Sequence, residues 1–165
     1  MGAAIDLRTG QIPNFLTLTP LALAPLAHFL SAYEALGPMA GLYAFGGSLL
    51  GALVAVALPS VLYAAGAMFG GDLKLLAAVG ALVMPSLALE AVLYTFVAGA
   101  LLSLLHMAWI GKLRIVLRNS FDIAMNPFRD PADKRVIDPE KLTFSRFGPA
   151  IFVGVTVACA LAWRA

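Results

Sequence analysis

The sequence predicts an all-α fold: a polytopic membrane helical bundle with five transmembrane helices and a cytoplasmic amphipathic segment. Three observations lead there. Of the 165 residues, 61% are hydrophobic and only 12% charged, with a mean hydropathy of +0.91. A soluble domain holds about 45–50% apolar and about 25% charged residues. Apolar runs recur at close to the roughly 20 residues that a helix needs to cross a bilayer. The charges are also segregated: of eleven Lys and Arg residues, eight lie between Lys112 and Arg146. The lone Cys159 excludes a disulfide within the chain and a cysteine-built zinc site, and reads as a small apolar packing residue. No metal or other cofactor is called for, and no nucleic-acid motif is present. The residues from Met1 to Leu7 lack the basic region and apolar core of a signal peptide.

The elements follow in order. Met1 to Asn14 is a short polar opening, in which Thr9-Gly10 signals a turn, Pro13 stops a preceding element and Asn14 suits a helix N-cap. Phe15 to Tyr33 is the first span, with Pro20 and Pro25 as candidate kinks. Glu34 to Pro38 is a link. Gly41 to Ala65 is the second span, interrupted only by Pro59, and Gly47 and Gly51, four apart, suit close helix packing. Gly66 to Gly71 is a small-residue loop that delivers Asp72 to the start of the third span, Leu73 to Leu89, which contains Pro85. Ala91 to Ile110 is the fourth span and Gly148 to Trp163 the fifth. The basic stretch 112–147 is the one long polar segment. Leu113, Val116, Leu117 and Phe121 recur in it at helical spacing, with Arg114 and Arg118 on another face, which suits a helix lying on headgroups as a lipid-contacting connector, with substrate docking as the alternative role. Asn126-Pro127, Asp130-Pro131 and Asp138-Pro139 then mark turns.

Alternate threading of five spans puts Arg8, Lys74 and the basic stretch on one face, and the links around Glu34 and Glu90, which lack Lys and Arg, on the other. The positive-inside rule makes the basic face cytoplasmic. Asp6 and Asp72 then share that face, each next to a helix end.

An acid beside membrane-length segments is costly in lipid and is a candidate functional group for that reason. Two carboxylates brought close cannot both ionise readily, so such a pair shares a proton near neutral pH. One acid then takes a proton from a water while the other donates a hydrogen bond or proton to the substrate carbonyl. That chemistry hydrolyses a peptide bond without metal or nucleophilic side chain. The competing reading makes each aspartate a cap or an ion-pair partner.

The surroundings of the two acids narrow the choice. Asp6-Leu7-Arg8 followed by Ile12-Pro13-Asn14, and Gly70-Gly71-Asp72-Leu73-Lys74-Leu75-Leu76-Ala77-Ala78-Val79-Gly80, resemble the two signature regions of the type IV prepilin peptidases, in the short Tad-type form. Phe147-Gly148-Pro149-Ala150-Ile151-Phe152-Val153-Gly154 resembles that family's last helix. The resemblance implies a single membrane-embedded peptidase domain over residues 1–165, an aspartic endopeptidase of the bacterial inner membrane with its active site facing the cytoplasm. Asp6 and Asp72 match the catalytic pair, while Ile12, Pro13, Asn14, Gly70, Gly71 and Lys74 match the supporting motif positions. The implied substrate is a Flp-type prepilin or pseudopilin, with a short basic leader, a cleavage site after glycine and an apolar helix that packs into the bilayer. The cysteine-rich insertion of the larger bifunctional members is absent, so methyltransferase activity is not expected. Two positions depart from the family. Phe69 stands where a glycine is usual, which either stiffens the loop or leaves Gly66 to supply its freedom. Five residues precede Asp6 where the family carries a helix, so five spans are expected instead of six.

Other polar residues divide more evenly. Lys74, two positions from Asp72, points roughly the opposite way on a helix and either meets headgroups or tunes the acid pair. Arg8 has the same two readings. His28 suits a packing or interfacial role and His106 lies near the cytoplasmic end of its span. Glu34 and Glu90 suit outer-face links. Two rival functions stand beside the peptidase: a small transporter using an intramembrane acid pair, and a non-catalytic assembly protein.

Overall fold

A computed structural model of the chain describes residues 12–66, 68–115, 117–118, 121 and 147–164. Asp6, Arg8, Val116 and the three proline turns at 126–127, 130–131 and 138–139 lie outside the described residues. Among the described residues the regular structure is entirely helical: α1 (Asn14–Leu36), α2 (Pro38–Ala64), α3 (Gly70–Trp109) and α4 (Gly148–Ala162). The first three are long and apolar enough to cross a membrane, and α4 is a shorter apolar helix. The chain is therefore a helical membrane bundle, with many large apolar side chains turned outward: Leu53, Leu82, Leu93, Val97 and Phe152 are all exposed.

Two compact units divide the chain. The larger comprises residues 1–99 and 146–165. In it α1 and α2 are joined by Gly37 alone, at φ 91°, so the expected link from Glu34 to Pro38 shrinks to one residue and Glu34 ends up exposed in the last turn of α1. A positive φ is cheap only for glycine, which is why the reversal falls there. Pro20, Pro25 and Pro59 are accommodated within their helices.

The 40 residues of α3 do not form one rod. Met84 interrupts them at φ 65° and ψ 171°. Leu76 and Val92, eight residues to either side, share one buried cluster with Ala55, Ala88 and Ile151. On a straight helix those two residues would be about 24 Å apart. Within the larger unit the stretches 70–83 and 85–99 therefore fold back on each other as a hairpin. The sequence placed this division at Glu90. The structure places it at Met84-Pro85, and Glu90 lies inside the returning half. The cause is Pro85, which has no N–H to offer the carbonyl of Ala81 and disfavours helical dihedrals at Met84.

A helix broken among apolar neighbours leaves carbonyls unpaired, which is tolerated only where other groups satisfy them. Ser48 Oγ on α2 donates to Ala81 O at 2.7 Å, the very carbonyl that Pro85 orphans. His28 Nε2 on α1 lies 3.0 Å from Leu82 O. A carbonyl only accepts, so Nε2 carries the proton. His28 thus has a packing role of a specific kind: it caps the break.

The first half of α3 crosses α2 at Gly51 and Gly80. A Cβ on Gly51 would fall on the carbonyl oxygen of Gly80, and one on Gly80 would fall on the carbonyl oxygen of Gly51 and 2.5 Å from Ala55 Cβ. The returning half meets α4 as closely, since a Cβ on Gly154 would overlap the backbone and hydroxyl of Thr95. Phe147 closes that end, lying over Gly99 and 5.8 Å, ring to ring, from Phe96.

The second unit comprises residues 100–145. It contains the end of α3, where Gly111 at φ 69° follows the last turn and Lys112 N–H returns to Met107 O at 3.0 Å. His106, Lys112, Arg114, Ile115, Leu117, Arg118 and Phe121 are exposed there.

Candidate functional site

The site is built where α2 hands over to α3. Gly66, at φ 72°, turns the chain out of α2. That left-handed conformation is open to glycine at little cost, and Phe69 projects outward, 59% exposed. Leu73 N–H donates to Phe69 O at 3.3 Å and opens α3. Asp72 lies in the first turn of that helix, where the unpaired N–H groups and the helix dipole favour a negative side chain. It is only 4% exposed. Burying a carboxylate costs free energy unless it is paired or hydrogen-bonded, so a buried acid at a helix start is a candidate functional group.

Both glycines before Asp72 lie against another part of the chain. A Cβ on Gly70 would meet the ring of Tyr63, at 3.5 Å from Cε2. A Cβ on Gly71 would meet Ile12, at 3.6 Å from its Cβ. Residues about 60 positions apart are thereby in contact beside Asp72. A second link runs parallel to the first: Lys74 Nζ donates to Asn14 Oδ1 at 3.2 Å. An ammonium has no acceptor capacity, so the carboxamide must present its oxygen.

That link corrects one expectation. Asn14 does not cap α1. The helix begins at Asn14 itself, with Pro13 in the capping position at ψ 136° and no side-chain cap hydrogen bond. Pro13 O accepts from Leu16 N–H, and the Asn14 carbonyl accepts from the buried Thr17 hydroxyl at 3.1 Å. The Asn14 side chain is thus turned away from its own helix and toward α3. Lys74, for which headgroup contact and tuning of the acid pair were both open, is exposed and engages Asn14.

Six of the eight site residues read from the sequence, Ile12, Pro13, Asn14, Gly70, Gly71 and Lys74, are therefore gathered around a seventh, Asp72. The eighth, Asp6, lies outside the described residues. Tyr63 was not singled out. It lies seven positions before Gly70, in an ordinary apolar helix end, and no local pattern marks it. Among the described residues no group of three or more His, Cys, Asp and Glu side chains could hold a metal ion. Residues 1–104 match the family model of the type IV leader peptidases. No curated protein and no solved structure matches the chain.

Proposed function

The chain belongs to the type IV leader peptidase family, and from that premise we propose that it is an aspartic endopeptidase that removes the leader of type IV or Flp-type prepilins or pseudopilins. Asp6 and Asp72 act as the pair. One carboxylate takes a proton from a water, whose oxygen attacks the carbonyl carbon of the scissile amide after glycine. The other, protonated, gives its proton to the carbonyl oxygen. Collapse of the tetrahedral diol breaks the C–N bond: the amine leaves with the proton first taken from the water, and a hydroxyl of the diol returns its proton to the second acid as the carboxylic acid forms. A pair sharing one proton is restored at the end.

The observation that carries this reading is the burial of Asp72 at the start of α3, with Ile12 packed on the adjacent Gly71. The segment that leads to Asp6 is thereby tied to the turn that holds Asp72. The substrate's apolar helix would lie in the bilayer alongside the exposed leucines of the bundle. Segregation of Lys and Arg to one set of links supports a cytoplasmic site in the bacterial inner membrane. Co-expression of the chain with a Flp-type prepilin tests the proposal. Leader removal is expected with the parent and is lost in Asp6→Ala and in Asp72→Ala. Removal that persists in both variants would end it.

A further inference from the structure

The geometry points to Lys74 and Asn14 as a positioning pair whose hydrogen bond, together with the Ile12–Gly71 contact, fixes the register of the segment carrying Asp6 against the turn carrying Asp72. This rests on the reading that the two acids act together. Two links join these segments at adjacent places. Ile12 Cβ lies 3.6 Å from the position of a Cβ on Gly71, which prevents the segment from pulling away but leaves it free to slide over a smooth apolar contact. Lys74 Nζ to Asn14 Oδ1, at 3.2 Å, adds direction. Lys74 follows Asp72 by two residues and Asn14 follows Ile12 by two. Each link therefore bears on the same two stretches of backbone, and together they remove the rotation that either alone would permit.

Pro13, between Ile12 and Asn14, stiffens this segment. Its ring fixes φ, observed at −60°, so a pull on Asn14 is transmitted to Ile12 and to the chain before it. Asp6 and Ile12 are six positions apart, at most about 20 Å of extended chain. That reach includes the Asp72 carboxylate but also much else, so register matters. A misplacement of about 1 Å in a reacting constellation costs on the order of a hundredfold in rate. The lysine acts at one remove, through the carboxamide of Asn14.

The test separates this proposal from the peptidase reading by using proximity as its readout. The full chain is prepared in native membranes with Cys159→Ala, so that Asp6→Cys and Asp72→Cys provide the two thiols. Oxidation is followed by counting residual thiols with a mass-tagged maleimide. The parent pair is expected to form the disulfide. Asn14→Ala and Lys74→Met are each expected to slow its formation about fivefold, the scale of one modest polar contact, and the double variant to be no slower than the worse single. Asn14→Asp, which retains an acceptor for the ammonium, keeps the parent rate and shows that the segment is otherwise folded. In chains that retain both acids, Asn14→Ala and Lys74→Met lower kcat for leader cleavage with KM unchanged. Parent cross-linking that is unaffected by Asn14→Ala and Lys74→Met overturns the positioning role alone. A parent that does not cross-link overturns the acid pair, and the positioning role with it.

Discussion

Replacing Gly51 by alanine tests whether the first half of α3 is held rigidly enough to aim Asp72. The added Cβ would lie on the carbonyl oxygen of Gly80 and 3.0 Å from both Met84 C and Met84 Cα. These are backbone atoms, so no side chain can swing aside, and the two helices must separate by about 1 Å. Overpacking of this kind costs about 1–3 kcal/mol. The same separation stretches the bond from Ser48 Oγ to Ala81 O, now 2.7 Å, and interhelical hydrogen bonds in bilayers contribute about 0.6 to 1.7 kcal/mol. Alanine regains about 1 kcal/mol of helix propensity over glycine. The net loss is about 1–3 kcal/mol. Asp72 lies on the same half-helix, about 12 Å along the axis from Gly80, so the displacement is carried to the carboxylate, and leader cleavage should fall about tenfold to a hundredfold. Two neighbours serve as controls. A Cβ on Gly46 meets nothing within 4 Å, so Gly46→Ala should be neutral or slightly stabilising. One on Gly47 meets only the terminal methyl of Met84, at 2.8 Å, which can move, so Gly47→Ala should fall between. Thermal unfolding in mild detergent and cleavage of a co-reconstituted prepilin measure both effects. Gly51→Ala unfolding at the temperature of Gly46→Ala, or above it, would refute the argument.

Three further outcomes are expected. Ser48→Ala leaves the Ala81 carbonyl unpaired beside Pro85, and should lower stability by about 1 kcal/mol in denaturant titration of the reconstituted protein. His28→Leu removes the donor to Leu82 O, and should speed proteolysis or hydrogen exchange around residues 80–86 while leaving the far end of α2 unchanged. Gly154→Ala forces α4 away from Thr95 and should destabilise the bundle by about 1–3 kcal/mol, read as a fall in Tm, with Thr156→Ala as a neutral comparison because its hydroxyl bonds within its own helix, to Phe152 O at 2.7 Å.

The sequence makes the outline of this fold legible because lipid-facing helices advertise themselves by length and composition. The ends of α1 and α2 lie within about five residues of their expected positions. The Gly47–Gly51 pair is legible as a packing face for the same reason: small residues four apart have few other uses in an apolar helix. The hairpin turn was misplaced because two signals competed. Glu90 looks like a link on hydropathy, whereas Pro85 acts through the backbone, removing one donor and restricting the residue before it. The backbone effect prevails, and Glu90 remains exposed on the helix flank. At the site, the motif residues were legible one by one. The pairing of Asn14 with Lys74 was not, because Asn14 also fits a helix N-cap, and local sequence cannot tell a side chain used by its own helix from one used by a residue 60 positions away. His28 and Ser48 were equally opaque. Their roles exist only because a carbonyl elsewhere loses its partner.

The break at Met84 and the site at Asp72 belong to one arrangement. The half-helix between them is about 14 residues, roughly 21 Å, shorter than the about 30 Å of a bilayer's apolar core, so it cannot be positioned by having both ends in the headgroup layers. It is held instead by side chains from other helices. Ser48 and His28 fix its far end through the carbonyls of Ala81 and Leu82. The Gly51–Gly80 crossing fixes its distance from α2. Asn14 and Ile12 meet its near end. A full-length span could slide along its axis against lipid at little cost. A short one pinned at three heights cannot, and a carboxylate in its first turn inherits that rigidity. The proposed catalysis by two acids would need such rigidity, because a shared proton and an attacking water tolerate little error in the distance between the carboxyl groups.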